Sequence, residues 1–276
     1  MGIDTEILSD WHASHAALQW LQELGALDPV GDDPVDRYAL AERDAAAPRD
    51  TALRTQSAPP QVATRSVAEP PPPVPKIDPV AVAQTAASRA TTLDALRQAI
   101  ADFPHCDLRR GARNTVFADG NPAARVMIVG EAPGRDEDQQ GLPFVGRAGQ
   151  LLDRMFAAIG LARQSPDATR ALYITNVMPW RPPSNREPTP EEMAMMVPFL
   201  QRHVELADPD LIVVMGNTPA QAVLRQRGIT RLRGGWTQAW GKPVLPMLHP
   251  AYLLRNPIAK RETWADLLSL QAHLRG

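Results

Sequence analysis

Three short stretches of this 276-residue chain place polar groups directly after apolar runs. That is where a parallel sheet carries its chemistry, because ligands bind beyond the carboxyl ends of such strands. RVMIVG (125–130) leads into Gly130-Glu131-Ala132-Pro133-Gly134, then Arg135-Asp136-Glu137-Asp138 and Gly141-Leu142-Pro143-Phe144-Val145-Gly146. LYITN (172–176) ends in Asn176, ahead of Trp180-Arg181-Pro182-Pro183-Ser184-Asn185-Arg186. VLPMLH (244–249) ends in His249, followed by Pro250-Ala251-Tyr252-Leu253-Leu254-Arg255. Singly these are ordinary: a glycine- and proline-rich turn is usually just a turn, a strand-end histidine is usually structural, and an acidic run is usually solvated. Together, a carboxylate, two amides, an aromatic ring and an imidazole suit recognition of a small polar ring, with an acidic group and a neutral donor placed for bond cleavage. The glycine turn is neither GxGxxG nor GxxxxGK[ST], which argues against a nucleotide-binding enzyme.

These groups need a scaffold, and the apolar pattern supplies one. Four runs of four to six residues, at 125–130, 172–176, 211–215 and 244–249, are mostly aliphatic or β-branched, as strands buried on both faces should be. Helical patterns fall between and after them, at 147–160, 190–206, 217–226 and 259–274, with one more at 92–103 ahead of the first strand. Strand–helix alternation predicts an α/β fold, a three-layer α/β/α sandwich around a mainly parallel four-stranded sheet.

The front of the chain reads differently. Residues 1–100 carry 8 Lys and Arg against 14 Asp and Glu, a net of -6, whereas the remainder carries 21 against 17, a net of +4. A mildly basic body permits a polyanion partner without establishing one. Residues 1–44 form an acidic region with one amphipathic helix over 6–25, and 45–90 are rich in Pro and Ala, with PPPPVP at 70–75. Consecutive prolines favour extended polyproline II, so 45–90 reads as a linker and the extension as partly disordered, open to contact with another protein. Residues 91–276 are then expected to form one domain, the one that carries the strand-end groups. No apolar stretch approaches the roughly 20 residues that span a bilayer, and MGIDTEILSDWH lacks the basic and apolar regions of a secretory signal. A cytoplasmic, monomeric protein without membrane contact is expected, and its single cysteine, Cys106, excludes a disulfide within the chain.

The stretches VGEAPGRDED (129–138), GLPFVGRAGQLLDRM (141–155), TNVMPWRPPSNREPTPEE (175–192) and LHPAYLLRNP (248–257), in this order, resemble the uracil-DNA glycosylase superfamily and specifically its family 4 branch. The resemblance covers about 103–275. It implies a DNA-repair enzyme that flips uracil out of DNA and hydrolyses its N-glycosidic bond, leaving an abasic site for base excision repair. It places Glu131, His249, Asn185 and Glu137 as catalytic residues, and Phe144, Asn176, Ala132 and His249 around the uracil. Phe144 would stack on the base, Asn176 would read its O4 and N3–H edge, and His249 would donate to O2 as negative charge develops. Glu131 would position or activate the water. Arg186 and Arg255 would meet phosphates, and Leu253 or Leu254 would wedge into the base stack. The alternative is a non-catalytic protein that binds uracil-containing DNA. A covalent trap through a histidine, as in one branch of the superfamily, is disfavoured because 181–192 holds none.

Family 4 members hold a [4Fe–4S] cluster through four cysteines. The corresponding positions here are Phe103, Cys106, Trp180 and Met196, so one thiol stands where four are needed. No cofactor and no metal are expected, and the four side chains are expected to pack as an apolar plug.

Overall fold

The computed structural model describes residues 77–275. The expected helix over 6–25 and most of the proline-rich stretch lie outside these residues. A six-stranded sheet forms the middle layer: β1 (Ala118–Gly120), β2 (Val126–Gly130), β3 (Leu172–Asn176), β4 (Leu211–Met215), β5 (Thr237–Ala239) and β6 (Lys242–Met247). Their order is β1-β3-β2-β4-β6-β5. β3, β2, β4 and β6 are mutually parallel, and β1 and β5 pair antiparallel at the two edges.

The four expected strands are thus the four parallel ones, and the sheet has two more than expected. The additional strands are three residues each and only partly apolar (Ala-Asp-Gly and Thr-Gln-Ala), so they carry no hydrophobic run to read. Edge strands that are short and polar also resist pairing with other chains.

Every residue of β2, β3 and β4 is buried, and alternate side chains feed two cores. Met127, Val129, Tyr173, Ile212 and Val214 face one side, packed with residues of α1 (Pro79–Arg89), α2 (Leu93–Asp102), α6 (Pro190–Ala207) and α7 (Asn217–Leu224). Val126, Ile128, Leu172, Ile174 and Val213 face the other, packed with α5 (Arg147–Ala157) and α10 (Lys260–Arg275). This period-two division produces the expected three layers. Between these come the short helices α3 (Leu108–Gly111), α4 (Arg135–Gln140), α8 (Ile229–Leu232) and α9 (Pro250–Arg255).

Helix α1 falls inside the stretch expected to be linker. Asp78 accepts from the Val80 amide at 2.9 Å, Pro79 occupies the first turn, and Ala83 and Ala87 are buried. The alanines that read as low complexity are also the strongest helix formers, and the cap and the packing decide the outcome. Helix α6 begins at a capping box in which Thr189 and Glu192 each bond the other's backbone amide. That box fixes where the loop leaving β3 must end.

Candidate active site

The sheet order makes the site. From β2 the chain passes to β3 on one side, then crosses to β4 on the other, so a crevice opens at the carboxyl end of β2. A cavity of about 620 Å³ lies there, and the exits of all four parallel strands reach it: Glu131 after β2, Asn176 at the end of β3, Gly216 and Asn217 after β4, and Leu248 and His249 after β6. Ala132, Glu137, Phe144, Asn185, Arg186 and Arg255 line it as well. The expected residues therefore converge on one concavity, with two exceptions. Leu253 is fully buried in the core, so it is not available to insert into DNA. Leu254 is half-buried against the same core and does not line the cavity. Position 253 points inward because α9 must bury one side chain to seat itself on the domain, and a six-residue helix offers few choices.

Asn176 is buried at 7% exposure, yet among the described residues no protein group bonds its carboxamide, which faces the cavity. Its strand partner is Gly130. A Cβ at 130 would lie 2.3 Å from the Asn176 amide oxygen and 2.5 Å from the Phe144 ring. Glycine is thus the residue that lets amide and ring approach the strand end together.

Phe144 adopts φ 55°, in the left-handed region that non-glycine residues seldom enter. Three contacts hold it there. The buried guanidinium of Arg163 donates to the Pro143 and Phe144 carbonyls at 2.9 and 3.0 Å, and is itself paired with Asp119 and Asp153. Gly149 lies so close that a Cβ would sit 1.7 Å from the Phe144 oxygen. Glu137 fixes the next two residues, accepting from the Val145 and Gly146 amides at 3.0 and 2.9 Å, while its other oxygen accepts from Gly134 at 3.0 Å. Both Glu137 oxygens are therefore committed to backbone, tying the two glycine turns together. The Phe144 ring lies 5.5 Å from the His249 ring, inclined by 29°.

His249 caps α9: its Nδ1 accepts from the Ala251 amide at 3.1 Å. A nitrogen that accepts carries no proton, so the proton of the neutral ring is on Nε2. Burial, reinforced by the charge on Arg255, pushes its pKa down to about 4. Near neutral pH this imidazole is an uncharged donor. Glu131 is the opposite case. Burial raises its carboxyl above the ordinary carboxylate range, partly countered by Thr218, whose Oγ1 donates to Oε2 at 2.7 Å. The two groups are thus tuned in opposite directions by burial at the same cavity.

The loop after β3 carries the remaining candidates. Ser184 and Asn185 both take positive φ, and Arg181 donates to the Asn185 amide oxygen at 2.7 Å. Arg186 makes a two-pronged pair with Glu192 at 2.9 and 2.6 Å and donates to the Glu187 carbonyl, so its charge is already engaged. Arg255 is exposed at the cavity edge.

Sequence reading missed the contribution of β4. Gly216, Asn217 and Thr218 follow an expected strand, but a small hydroxyl in a helical pattern carries no local signal. It also missed Arg163, a lone arginine 19 positions from the carbonyl it grips. Asp138, in the acidic run read as solvated surface, is buried and accepts from the Arg113 and Asn114 amides.

The positions expected to form an apolar plug are all buried in the larger core: Phe103 at 2% exposure and Cys106, Trp180 and Met196 at 1% each. The Trp180 indole donates to Thr115 at 3.1 Å, and Phe103 meets Phe199 edge-on at 5.3 Å. Burial raises the Cys106 thiol above its ordinary pKa. This donor set does not fit a four-thiolate cluster, and among the described residues no group of three or more His, Cys, Asp or Glu could hold a metal ion. No described helix is long and apolar enough to cross a membrane.

Comparison with known proteins agrees with this geometry. The profile of the uracil DNA glycosylase superfamily matches residues 117–268. A Type-4 uracil-DNA glycosylase of Archaeoglobus fulgidus is 41% identical over 184 residues, covering 63% of this chain and 89% of that protein. A second from Thermotoga maritima is 38% identical over 174 residues, covering 61% and 86%, and a third from Sulfurisphaera tokodaii is 36% identical over 177 residues, covering 60% and 77%. The match spans every strand exit that builds the cavity, and on it the chain belongs to the uracil DNA glycosylase superfamily.

Proposed function

We propose that this chain is a uracil-DNA glycosylase that hydrolyses the N-glycosidic bond of uracil in DNA. The observation that carries the reading is the meeting, in one cavity, of an amide free to bond a ligand (Asn176), a neutral imidazole with Nε2–H available (His249), and a half-buried carboxylate held by one hydroxyl (Glu131). The cavity accepts a base only after the nucleotide has left the duplex.

Each group has a task set by its environment. Phe144, gripped at its backbone by Arg163, gives the uracil a rigid apolar face. Asn176 accepts from N3–H and donates to O4, an order that cytosine reverses, leaving buried groups unpaired for the wrong base. As the C1′–N1 bond breaks, its electron pair leaves on uracil, and the Nε2–H of His249 donates to O2 where that charge gathers. A donor already in place in a dry site stabilises the charge without reorganising. A water oxygen bonds C1′ and gives up its proton to Glu131, whose raised basicity favours accepting it. Ala132 borders the same space. Asn185 shapes the entrance through its bond with Arg181, and Glu137 acts as a brace between turns. Arg255 meets a phosphate, with Arg186 contributing only if its pair with Glu192 opens.

The same reading holds that no iron–sulfur cluster is bound, since 276 residues contain one cysteine. Phe103, Trp180 and Met196 fill the space as core. Residues 91–276, extended forward to include α1, form a monomeric catalytic domain acting in the cytoplasm, with residues 1–44 available to a protein partner. Incubation with a uracil-containing oligonucleotide tests the main claim: abasic product with turnover supports it, whereas stable retention without product gives a binding protein instead. Stoichiometric iron in the purified protein would overturn the cluster-free claim.

A further inference from the structure

The two glutamates of the cavity are held in different ways, and the difference singles out a residue. Glu137 spends both oxygens on three backbone amides. The Glu131 carboxylate receives a single hydrogen bond among the described residues, from Thr218, leaving its second oxygen without a protein partner at the cavity. Thr218 stands in the first turn of α7, 87 positions along the chain, and is buried at 4% exposure; its chain neighbours Pro219 and Ala220 are buried as well. A valine would fill the same space. A buried hydroxyl costs free energy unless it is bonded, and here it crosses to another strand exit to reach one carboxylate oxygen at 2.7 Å, a length typical of a charge-assisted bond.

We infer that Thr218 is a positioning residue for the glycosylase reaction: its hydroxyl fixes Oε2 of Glu131, so that Oε1 is presented to the attacking water in ionised form. The inference rests on the reading of Glu131 as the water-activating group. The hydroxyl also opposes the effect of burial on that carboxyl. Other charged groups surround this carboxylate. Glu187 and Arg227 act on Glu131 in opposite senses. Glu137 is satisfied by backbone, Arg186 is paired with Glu192, and His249 is neutral, with Arg255 beyond it. None of these bonds Thr218, so replacing it leaves them in place.

The test is the pH dependence of uracil release under single-turnover conditions with full-length protein. Removing the donor destabilises the carboxylate, so its pKa rises and the acid limb moves to higher pH. Thr218→Val is expected to move the limb up by about one pH unit and to slow release about tenfold below it, while Thr218→Ser, which retains the hydroxyl, keeps the limb in place. If Thr218→Val does not fold, Thr218→Ala carries the same expectation. A limb unmoved in either variant, with or without a lower thermal midpoint, overturns the inference and leaves Thr218 a packing residue. Glu131→Gln separates the two levels: release at the parent rate with its limb intact would overturn the reading of Glu131 itself.

Discussion

Two regions of this molecule are built to different demands. At the carboxyl ends of β2, β3 and β6, polar groups converge on one cavity, and the backbone is constrained to hold them there, down to a phenylalanine held at positive φ. Around Phe103, Cys106, Trp180 and Met196 the side chains are apolar and all buried, and none of them lines that cavity. A catalytic rim tolerates little, because atoms must lie where charge develops. A packed core has only to fill its volume, and close packing does that with many combinations of apolar side chains. One region depends on positions and the other on volume.

The comparison is sharpest where the two regions respond to different measurements. Trp180→Ala should cost about 3–5 kcal/mol of stability, since it empties the largest fully buried side chain of the plug, yet uracil release should persist at temperatures where the variant is folded. Abolished release in a folded variant would show that the plug shapes the Asn185–Arg186 loop, and the division would fail. His249→Ala should do the reverse, slowing release by about 100- to 1,000-fold, the loss of one preorganised donor, with substrate binding less affected. Equal losses in binding and release would assign the imidazole to recognition. Asn176→Asp should weaken discrimination between uracil and cytosine, read as a reduced ratio of single-turnover rates on paired oligonucleotides, because a carboxylate cannot supply the donor for O4.

Smaller effects refine the boundary. Met196→Leu, nearly volume-conserving, should cost less than about 1.5 kcal/mol and leave release intact. A larger loss would mean the thioether does more than fill space. Acid sensitivity supplies another measure. His203, buried and bonded to the Tyr173 hydroxyl at 2.9 Å, has its pKa pushed down to about 3, below the ordinary value of about 6.5. The unfolded chain therefore takes up a proton below pH 6.5 that the folded chain refuses. The stability this residue contributes is complete above 6.5 and is lost as pH falls toward 3. His203→Gln keeps a polar partner for Tyr173 and does not titrate, so denaturant midpoints should fall less steeply over that window. An unchanged slope would place the charge-sensitive burial elsewhere, at His249.

How legible was all this in the sequence? Apolar runs at 172–176 and 211–215 named their strands residue for residue, because both strands are buried from end to end. Glu131, Asn176 and His249 were legible because a parallel sheet delivers strand ends to one rim. The polar strands at 118–120 and 237–239 were not, since pairing alone creates them. Helix α1 was hidden in alanine-rich sequence whose order depends on the surface it lands on. Leu253 and Leu254 were indistinguishable until the tilt of α9 sent one into the core.

What the sequence determined by itself was the inventory: one cysteine, hence no four-thiolate site, and a carboxylate, an amide and an imidazole at the ends of buried strands. Spacing along a chain reports on neighbours within a turn or a strand. It is silent on groups brought together across the sheet, and those were decided by tertiary structure alone. Arg163 grips the Phe144 carbonyl, Thr218 reaches Glu131 from the next strand exit, and burial sets one carboxyl up and one imidazole down. The physical reason is that hydrogen bonding and desolvation depend on distance in space, and 87 residues of separation fold down to 2.7 Å.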